Sequence, residues 1–202
     1  MKCERLFLVI FLASVFLSAT FGFKAEGGTA RTELEKKGYT YTESSFVECA
    51  KKGDMDAVKL FLAEGIDINA MNERGQTALI RSAEYQRTEV VTLLLGKGAD
   101  VNIGGGRYAR TAMMEAAGAG NTVIIKQLVE KGADINAKDY ESNTPLHFAC
   151  MYGHVEAVRL LIELGAKPDV QASGLGRTPM KIAETNGHME IVQILKDAGA
   201  KK

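Results

Sequence analysis

The sequence repeats itself every 33 or 34 residues, and this repetition constrains the fold more than any other feature. The clearest copy runs from Thr144 to Pro168 as TPLHFACMYGHVEAVRLLIELGAKP, and related text opens at Thr77, Thr111 and Thr178. A more divergent copy opens at Ser44 with SSFVECAKKGDMDAVKLFLAEGIDIN. A unit of this size cannot bury its apolar face alone. The period therefore predicts five copies stacked on one another.

Each copy carries the start and stop signals of two short helices. In the fourth copy, Thr144 suits a helix N-cap and Pro145 the first helical position, where the missing N–H costs nothing. Gly153 suits the left-handed end of that helix. The stretch Val155 to Leu164 then reads as a second helix ended by Gly165. The repeating unit is thus predicted to be helix, tight turn, helix and loop.

Aligned second helices share two columns of apolar residues, three positions apart, which predict one continuous core stripe. The columns are Val58, Val91, Ile125, Val158, Val192 and Phe61, Leu94, Leu128, Leu161, Leu195. A third column reads Leu62, Leu95, Val129, Ile162 and then Lys196. The change to lysine in the last copy predicts a polar C-terminal cap, with the solenoid ending at the fifth copy.

The period, the T-P-L-H-x-A head and the trailing G-A-D-x-N together resemble the ankyrin repeat family. The resemblance covers about four-fifths of the chain. It implies an all-α ankyrin-repeat solenoid of stacked helix-turn-helix units with hairpin-like finger loops. The repeats would start near residues 44, 77, 111, 144 and 178 and fill positions 44–202. The family is a binding scaffold, so the fold alone does not name a partner.

The residues before the repeats divide into two predicted segments. Positions 1–22 have a basic start and an apolar run typical of a signal peptide, and the alternative is an uncleaved membrane anchor. Either reading places the repeats outside the cytoplasm, in the periplasm or secreted. Positions 23–43 read as a polar spacer that becomes a partial cap near its end. There, Thr32 to Lys37 would make one or two helical turns, since Gly27, Gly28 and Gly38 disfavour a longer helix.

Charge and motifs disfavour several functions. The chain has 25 basic and 25 acidic residues, so it lacks the basic excess typical of nucleic-acid binding. Gly104–Gly106 is followed by Arg107 and Tyr108 rather than by the remainder of a phosphate loop. We find no catalytic constellation, no metal-ligand spacing and no cofactor motif. We expect a monomer without membrane insertion once the leader is removed.

The cysteines and histidines have structural interpretations. Cys49 and Cys150 occupy the first helices of repeats 1 and 4, roughly 25–30 Å apart at ordinary helix spacings. A disulfide needs Cα atoms within about 7 Å, so two buried thiols are predicted instead. In the ankyrin family, histidines such as His147, His154 and His188 hydrogen-bond within and between repeats, which is the role that the resemblance implies here.

Two further surface features carry expectations. Glu48, Arg81 and Glu115 alternate in sign along the first helices and read as a solvent-exposed ladder of ion pairs across the stack. The finger containing Gly104–Gly106 is one residue longer than its neighbours and should be mobile or specially shaped. Ser142 stands where the family finger usually has glycine.

The resemblance implies a binding surface formed by the finger tips and the solvent side of the first helices. The variable positions on that surface are Arg74, Gln76, Tyr85, Arg107, Tyr108, Arg110, Tyr140, Tyr152 and Arg177. Tyrosine and arginine are enriched at binding hot spots. The bland alternative is that these tyrosines merely sit on a polar surface, supported by loop packing.

The sequence therefore predicts a non-catalytic protein–protein interaction module acting outside the cytoplasm. The main alternative is a secreted effector that binds proteins of another organism. A small-molecule binder or enzyme is less favoured, because a single-layer solenoid seldom forms a deep pocket with convergent polar groups.

Overall fold

The computed structural model describes residues 27–173 and 176–200. These ranges contain eleven α-helices: one N-terminal helix and five helix pairs. Their bounds are α1 Gly27–Lys36, α2 Glu43–Lys52, α3 Met55–Ala63, α4 Ala78–Glu84, α5 Thr88–Gly96, α6 Ala112–Gly118, α7 Thr122–Glu130, α8 Pro145–Tyr152, α9 Val155–Glu163, α10 Pro179–Thr185 and α11 Met189–Asp197. The predicted signal peptide lies outside the described residues. None of the described helices has the length and apolar character needed to cross a bilayer.

The helices form two parallel stacks. First helices α2, α4, α6, α8 and α10 contact one another in order, and second helices α3, α5, α7, α9 and α11 do the same. The two helices of each repeat also pack against each other. This is the predicted all-α solenoid of helix pairs.

Threonine N-caps begin the first helices, as the sequence predicted. The Thr77 hydroxyl accepts a hydrogen bond from the Ile80 amide at 3.2 Å, satisfying a backbone donor that the helix leaves free. Thr111 and Thr178 cap α6 and α10 in the same way. In repeat 1 the cap is Thr42 rather than a residue at the predicted start at position 44, so the helix begins earlier than the alignment suggested.

The apolar columns form the core. Residues of the two predicted columns are no more than 2 % exposed in all five repeats. In the third column Leu95 is buried, whereas Leu62, Val129 and Ile162 are half-buried and pack against the core. Lys196 closes that column as an exposed residue, which fits its predicted place on a polar terminal face.

Histidines tie neighbouring repeats together. His154 Nε2 donates to the Gly118 carbonyl of the preceding repeat at 2.9 Å, and His188 donates to Met151 at 3.3 Å. The turn glycine makes room for this contact, because a Cβ on Gly120 would lie 2.6 Å from His154 Nδ1. The between-repeat role that the family resemblance implied for these histidines is confirmed.

His147 has one hydrogen-bond partner residue in its own repeat and another in the next finger. The Thr144 amide donates to His147 Nδ1 at 3.1 Å, while Nε2 donates to the Arg177 carbonyl of the next finger at 3.2 Å. The ring is fully buried, and this burial lowers the pKa of His147. The neutral imidazole therefore joins the start of α8 to finger 4.

Asparagines of the trailing G-A-D-x-N segments hold consecutive repeats in register. Asn69 Oδ1 accepts a hydrogen bond from the Asp100 amide of the next repeat at 2.9 Å. The same bond recurs from Asp134 to Asn102 at 2.9 Å and from Lys167 to Asn136 at 2.8 Å. These hydrogen bonds give a structural reason for an asparagine at the same position of successive copies.

The N-terminal cap is larger than predicted. Helix α1 covers ten residues and includes Gly27 and Gly28, which we expected to disfavour helix. It packs on α3, where the second helix of a preceding repeat would otherwise lie. Leu34 is fully buried there, and Arg31 pairs with Glu64 at 2.9 Å. Burial against repeat 1 outweighs the weak helix propensity of the two glycines.

Both described cysteines are free and buried. Cys49 Sγ donates to the Phe46 carbonyl within α2 at 3.0 Å. Burial raises the pKa of Cys49 and of Cys150 to about 12. The prediction of two separate buried thiols is confirmed.

Candidate functional site

Three of the grooves on the described surface are lined by finger loops and first helices of repeats 1 to 4. The fingers, numbered in chain order, are residues 70–77, 103–111, 137–144 and 170–178. The first groove, of about 340 Å³, lies between α2, finger 1 and α4, and the second, of about 480 Å³, lies between fingers 1 and 2. The third, of about 240 Å³, lies between α4, α6 and α8. We call the surface made by the fingers and first helices the finger face.

Five of the nine predicted binding residues line these grooves. Arg74 and Gln76 line the first and second grooves, and Arg107 joins them in the second. Arg110 and Tyr152 meet in the third groove. The structure thus brings the predicted residues together as two groups rather than one row.

Backbone hydrogen bonds fix each finger against its neighbour. The Gly106 amide donates to the Gly75 carbonyl at 3.0 Å, joining fingers 1 and 2. The Tyr140 amide donates to the Tyr108 carbonyl at 2.9 Å, joining fingers 2 and 3. A third bond runs from Ser173 to Glu141 at 2.6 Å. The tips of fingers 1 to 3 are therefore held in place by the neighbouring fingers.

The glycine run in finger 2 gives a specially shaped loop, which was one of the two expectations. Gly105 is buried, and a Cβ added there would lie 2.5 Å from the Gly75 carbonyl oxygen and 2.8 Å from Ile80 Cδ1. A Cβ on Gly104 would lie 2.4 Å from the Ala109 carbonyl oxygen. The glycines allow close contact within finger 2 and with finger 1.

Three tyrosines of the finger face are its most exposed aromatic groups. Tyr140 at the tip of finger 3 is 77 % exposed, Tyr152 at the end of α8 is 55 % exposed, and Tyr85 at the end of α4 is 39 % exposed. Within the described chain, these are the exposed aromatic side chains. Tyrosine is enriched at protein-binding hot spots, so these three rings are candidate contacts for a partner.

Tyr85 lies among cations of the first groove. The Arg81 guanidinium carbon is 4.8 Å from the centre of the Tyr85 ring, and Lys51 Nζ is 5.3 Å from it. These cation–π contacts hold the ring beside α2 and α4. Sequence reasoning missed Lys51 and Arg81 as groove residues. One signal was available, because Lys51 follows Glu48 by about one helical turn and so shares its face.

Tyr108 is packed rather than free. It is half-buried between Arg107 and Arg110, whose guanidinium carbons lie 5.7 Å and 5.2 Å from its ring centre. Arg110 also lies 4.6 Å from the Phe148 ring centre and 4.0 Å from Glu115. Arg110 is thus engaged within the protein and supports the third groove.

The other predicted residues differ in how free they are. Arg74, Arg107 and Arg177 are exposed. The Arg177 carbonyl accepts from His147, while its side chain stays on the surface of finger 4. Gln76 is half-buried, and its Cα and side chain lie within 4 Å of where a Cβ on Gly105 or Gly106 would sit. Gln76 therefore helps to shape the wall of the first and second grooves and also places a polar amide there.

The charged column on the first helices is not the exposed ladder that we expected. Arg81 forms its ion pair with Glu84 on the same helix, and Glu115 lies nearest to Arg110. The side chains of Arg81 and Glu115 are only 11 % and 17 % exposed. Burial, and then the nearby Glu84 carboxylate, raise the pKa of Glu115. The ion pairs therefore form within repeats, and the Glu84 carboxylate of the preceding repeat acts on Glu115 as a like charge.

No group of three or more histidine, cysteine, aspartate or glutamate side chains in residues 27–173 and 176–200 is arranged to hold a metal ion.

The family assignment follows from comparison with known protein families. The model for ankyrin repeats (three copies) matches residues 46–139 and 139–202. These matches cover most of the chain and coincide with the five helix pairs. The chain belongs to the ankyrin repeat family.

Several characterised proteins share this repeat region. The chain is 27 % identical over 138 residues to the mitochondrial disaggregase of Bos taurus, a match covering 67 % of this chain and 20 % of that protein. It is 26 % identical over 131 residues to the E3 ubiquitin-protein ligase Ufd4 of Drosophila melanogaster, covering 64 % of this chain and 4 % of the ligase. It is 47 % identical over 58 residues to the palmitoyltransferase akr1 of Schizosaccharomyces pombe, covering 28 % and 9 %. The chain therefore spans a fifth or less of these relatives.

Proposed function

We propose that this protein is a non-catalytic protein-binding module that acts outside the cytoplasm and holds its partner on the finger face. The observation that carries the proposal is the location of the exposed aromatic groups. Tyr85, Tyr140 and Tyr152 all lie on this face, which also carries the exposed side chains of Arg74 and Arg107. Such groups supply binding energy at protein interfaces when a partner removes them from water.

The dimensions of the finger face suit a protein partner. Fingers 1 to 4 are joined in a row, and packed helices lie about 8–10 Å apart, so the row extends about 30 Å. A standard protein interface covers about 800 Å² on each partner, which a surface of this length can supply. The grooves are lined by mixed charges and contain few apolar walls, which favours a partner's side chains over a small apolar ligand.

The place of action is proposed from the leader alone. A basic start followed by an apolar run at residues 1–22 favours export with cleavage near Phe23. The repeats would then work in the periplasm or in the medium, as a monomer. An uncleaved anchor and a secreted effector keep the same binding mechanism and change only its location.

Capture of a partner with matched variants tests the binding surface. The mature protein is cross-linked in a cell-envelope extract, and the captured partner is purified for affinity measurements. Tyr140→Ala and Tyr152→Ala should each weaken binding by about 1–3 kcal/mol, as hot-spot truncations do. The melting temperature should barely change, since surface substitutions usually stay within about 0.5 kcal/mol.

Matched controls lie on the opposite face. Lys59 on α3 and Lys126 on α7 are exposed second-helix residues. Lys59→Ala and Lys126→Ala should leave capture intact. Loss of capture in these controls, with normal capture by the tyrosine variants, would place the partner on the second helices and refute the proposal.

Cell fractionation with N-terminal sequencing tests the place of action. We expect mature protein beginning near Phe23 in the periplasm or medium. Full-length protein in the soluble cytoplasm would contradict export. Full-length protein in the membrane fraction would support the anchored alternative.

A further inference from the structure

We infer that the partner presents an acidic segment, and that its carboxylates bind to Arg74 and Arg107 on fingers 1 and 2. This inference rests on the proposed function and specifies the chemistry of the partner at the same surface. It follows from the charge of the first and second grooves, from the two free guanidinium groups there, and from the fixed geometry of the fingers.

The first and second grooves carry excess positive charge. The cations that line them are Lys51, Arg74, Arg81 and Arg107. Their two carboxylates are Glu48 and Glu73, so the groove lining has a net charge of +2. Counting Glu84, which pairs with Arg81, leaves +1. The whole chain has equal numbers of basic and acidic residues, so the positive charge here is a local concentration.

The two finger arginines are the available cations. Lys51 pairs with Glu48 at 3.2 Å, and Arg81 pairs with Glu84. Arg74 and Arg107 are exposed, and neither forms an ion pair with another described residue. Each guanidinium presents a planar fork that can bind a carboxylate through two hydrogen bonds. The groove therefore holds two unoccupied carboxylate-binding groups.

The fingers fix the two arginines relative to each other. The Gly106 amide of finger 2 bonds to the Gly75 carbonyl of finger 1, one residue away from each arginine. Arg107 is also held near the Tyr108 ring, with 5.7 Å between guanidinium carbon and ring centre. Both side chains start from a joined, rigid base and line the same groove. This arrangement reduces the ordering cost of binding adjacent carboxylates.

The surrounding groups favour an acidic polypeptide over a nucleic acid. Glu48 and Glu73 interrupt the basic lining, and a phosphate backbone with charge at every nucleotide would approach both carboxylates. A peptide can place acidic residues only at the arginines and other side chains near the glutamates. Farther along the finger face, Tyr140 and Tyr152 offer apolar contacts. The partner segment should therefore be acidic at one end and apolar at the other.

The length of that segment follows from the repeat spacing. Arg74, Arg107 and Tyr140 lie on fingers 1, 2 and 3, and Tyr152 lies on α8, the helix that follows finger 3. Helices spaced about 10 Å apart place fingers 1 and 3 about 20 Å from each other. An extended chain advances about 3.3 Å per residue, so about six residues span the distance.

Peptide titration tests the chemistry directly. The probe is a fluorescein-labelled extended peptide of about twelve residues, long enough to cover the row, with an aspartate- and glutamate-rich half and a leucine- and tyrosine-rich half. Its twin carries asparagine and glutamine in place of every carboxylate. By fluorescence anisotropy at low salt, the acidic peptide should bind the mature protein about tenfold more tightly than the amide twin, with the difference shrinking as salt is added.

Charge reversal locates the binding groups. The double variant Arg74→Glu, Arg107→Glu should lose the preference for the acidic peptide. The control Lys59→Glu, Lys126→Glu changes net charge equally on the second helices and should keep it. The inference would be overturned if the parent protein bound both peptides equally or failed to bind the acidic peptide. It would also be overturned if the control variant lost the preference for the acidic peptide as fully as the arginine variant does. So would tighter binding of a single-stranded oligonucleotide of similar length.

The captured partner separates this inference from the proposed function. If Tyr140→Ala and Tyr152→Ala weaken capture while the arginine double variant captures normally, the finger face is the interface and the acidic segment is wrong. If neither set matters and the second-helix variants do, the proposed function itself is wrong. Loss of capture in both the tyrosine and arginine variants supports both.

Discussion

Replacing Gly105 by alanine should destabilise the fold by forcing fingers 1 and 2 apart. The backbone at Gly105 does not have a positive φ, so alanine can adopt its conformation. The added Cβ would, however, lie 2.5 Å from the Gly75 carbonyl oxygen, 2.8 Å from Ile80 Cδ1 and 3.2 Å from Gln76 Cα. Two of these atoms are backbone, so the loop must move as a unit.

The size of the effect is a balance of two contributions. Overpacking a close contact costs about 1–3 kcal/mol. Replacing glycine by alanine in a compatible conformation stabilises by about 0.4–1 kcal/mol through the unfolded chain. The free energy of unfolding should therefore fall by about 1–2 kcal/mol. In a domain of this size, that corresponds to a melting temperature lower by about 2–8 °C.

Gly96 supplies the matched control. It ends α5, and a Cβ added there would meet nothing within 4 Å. Gly96→Ala should leave stability unchanged or raise it by about 0.5–1 kcal/mol. Urea unfolding followed by far-ultraviolet circular dichroism compares the two variants with the parent. Equal midpoints for Gly105→Ala and Gly96→Ala would show that finger 2 is not packed as described.

Three further predictions concern the core and its titrating groups. Leu128→Ala, fully buried in the central repeat, should cost about 2–5 kcal/mol in urea unfolding, whereas Lys196→Ala on the exposed last helix should cost little; similar losses would contradict the column assignment. Cys49 and Cys150, with pKa raised to about 12, should react slowly with a thiol reagent in the native protein and fully in denaturant; fast native labelling would contradict their burial. Burial lowers the pKa of His147 below its ordinary 6.5, so the unfolded chain binds the proton at a higher pH than the folded protein does. The stability that the neutral His147 imidazole contributes is therefore present above about pH 6.5 and is lost as the pH falls below it. His147→Asn should flatten this part of the pH dependence of the urea midpoint, and an unchanged slope would contradict it.

The repeated elements could be predicted from sequence because the same physics recurs five times. Each copy offers an independent alignment, so the core columns and the threonine caps emerge as shared positions. Thr42 shows the limit of this approach. In repeat 1 the threonine motif is replaced, and the cap lies two residues before the start that alignment gave. Local hydrogen bonding, rather than the period, decides where that helix begins.

The parts that occur once could not be read from a pattern. Helix α1 contains two glycines and a polar sequence, and it forms because Leu34 and Arg31 find partners on repeat 1. Tertiary burial outweighed local propensity there. A contact between repeats also decides the residue in finger 2. Glycine is needed at position 105 because the Gly75 carbonyl, thirty residues earlier in the chain, leaves no room for a Cβ.

The sequence predicted which candidate residues lie on the finger face, but not which of their side chains pack against neighbours. Tyr140 and Tyr152 are as exposed as variable surface positions should be. Tyr108 and Arg110 instead pack with each other, and Arg110 also packs on Phe148. Sequence spacing places a residue on a face, whereas neighbouring repeats decide whether its side chain is free to bind.

Hydrogen exchange of the mature protein, alone and with its captured partner, measures the binding surface most directly. We expect the partner to slow amide exchange at fingers 1 to 3 and at the ends of α4 and α8, which carry the arginines and exposed tyrosines. Helices α3, α5, α7 and α9 should exchange as in the free protein. Protection confined to those second helices, with unchanged exchange at the fingers, would contradict the account.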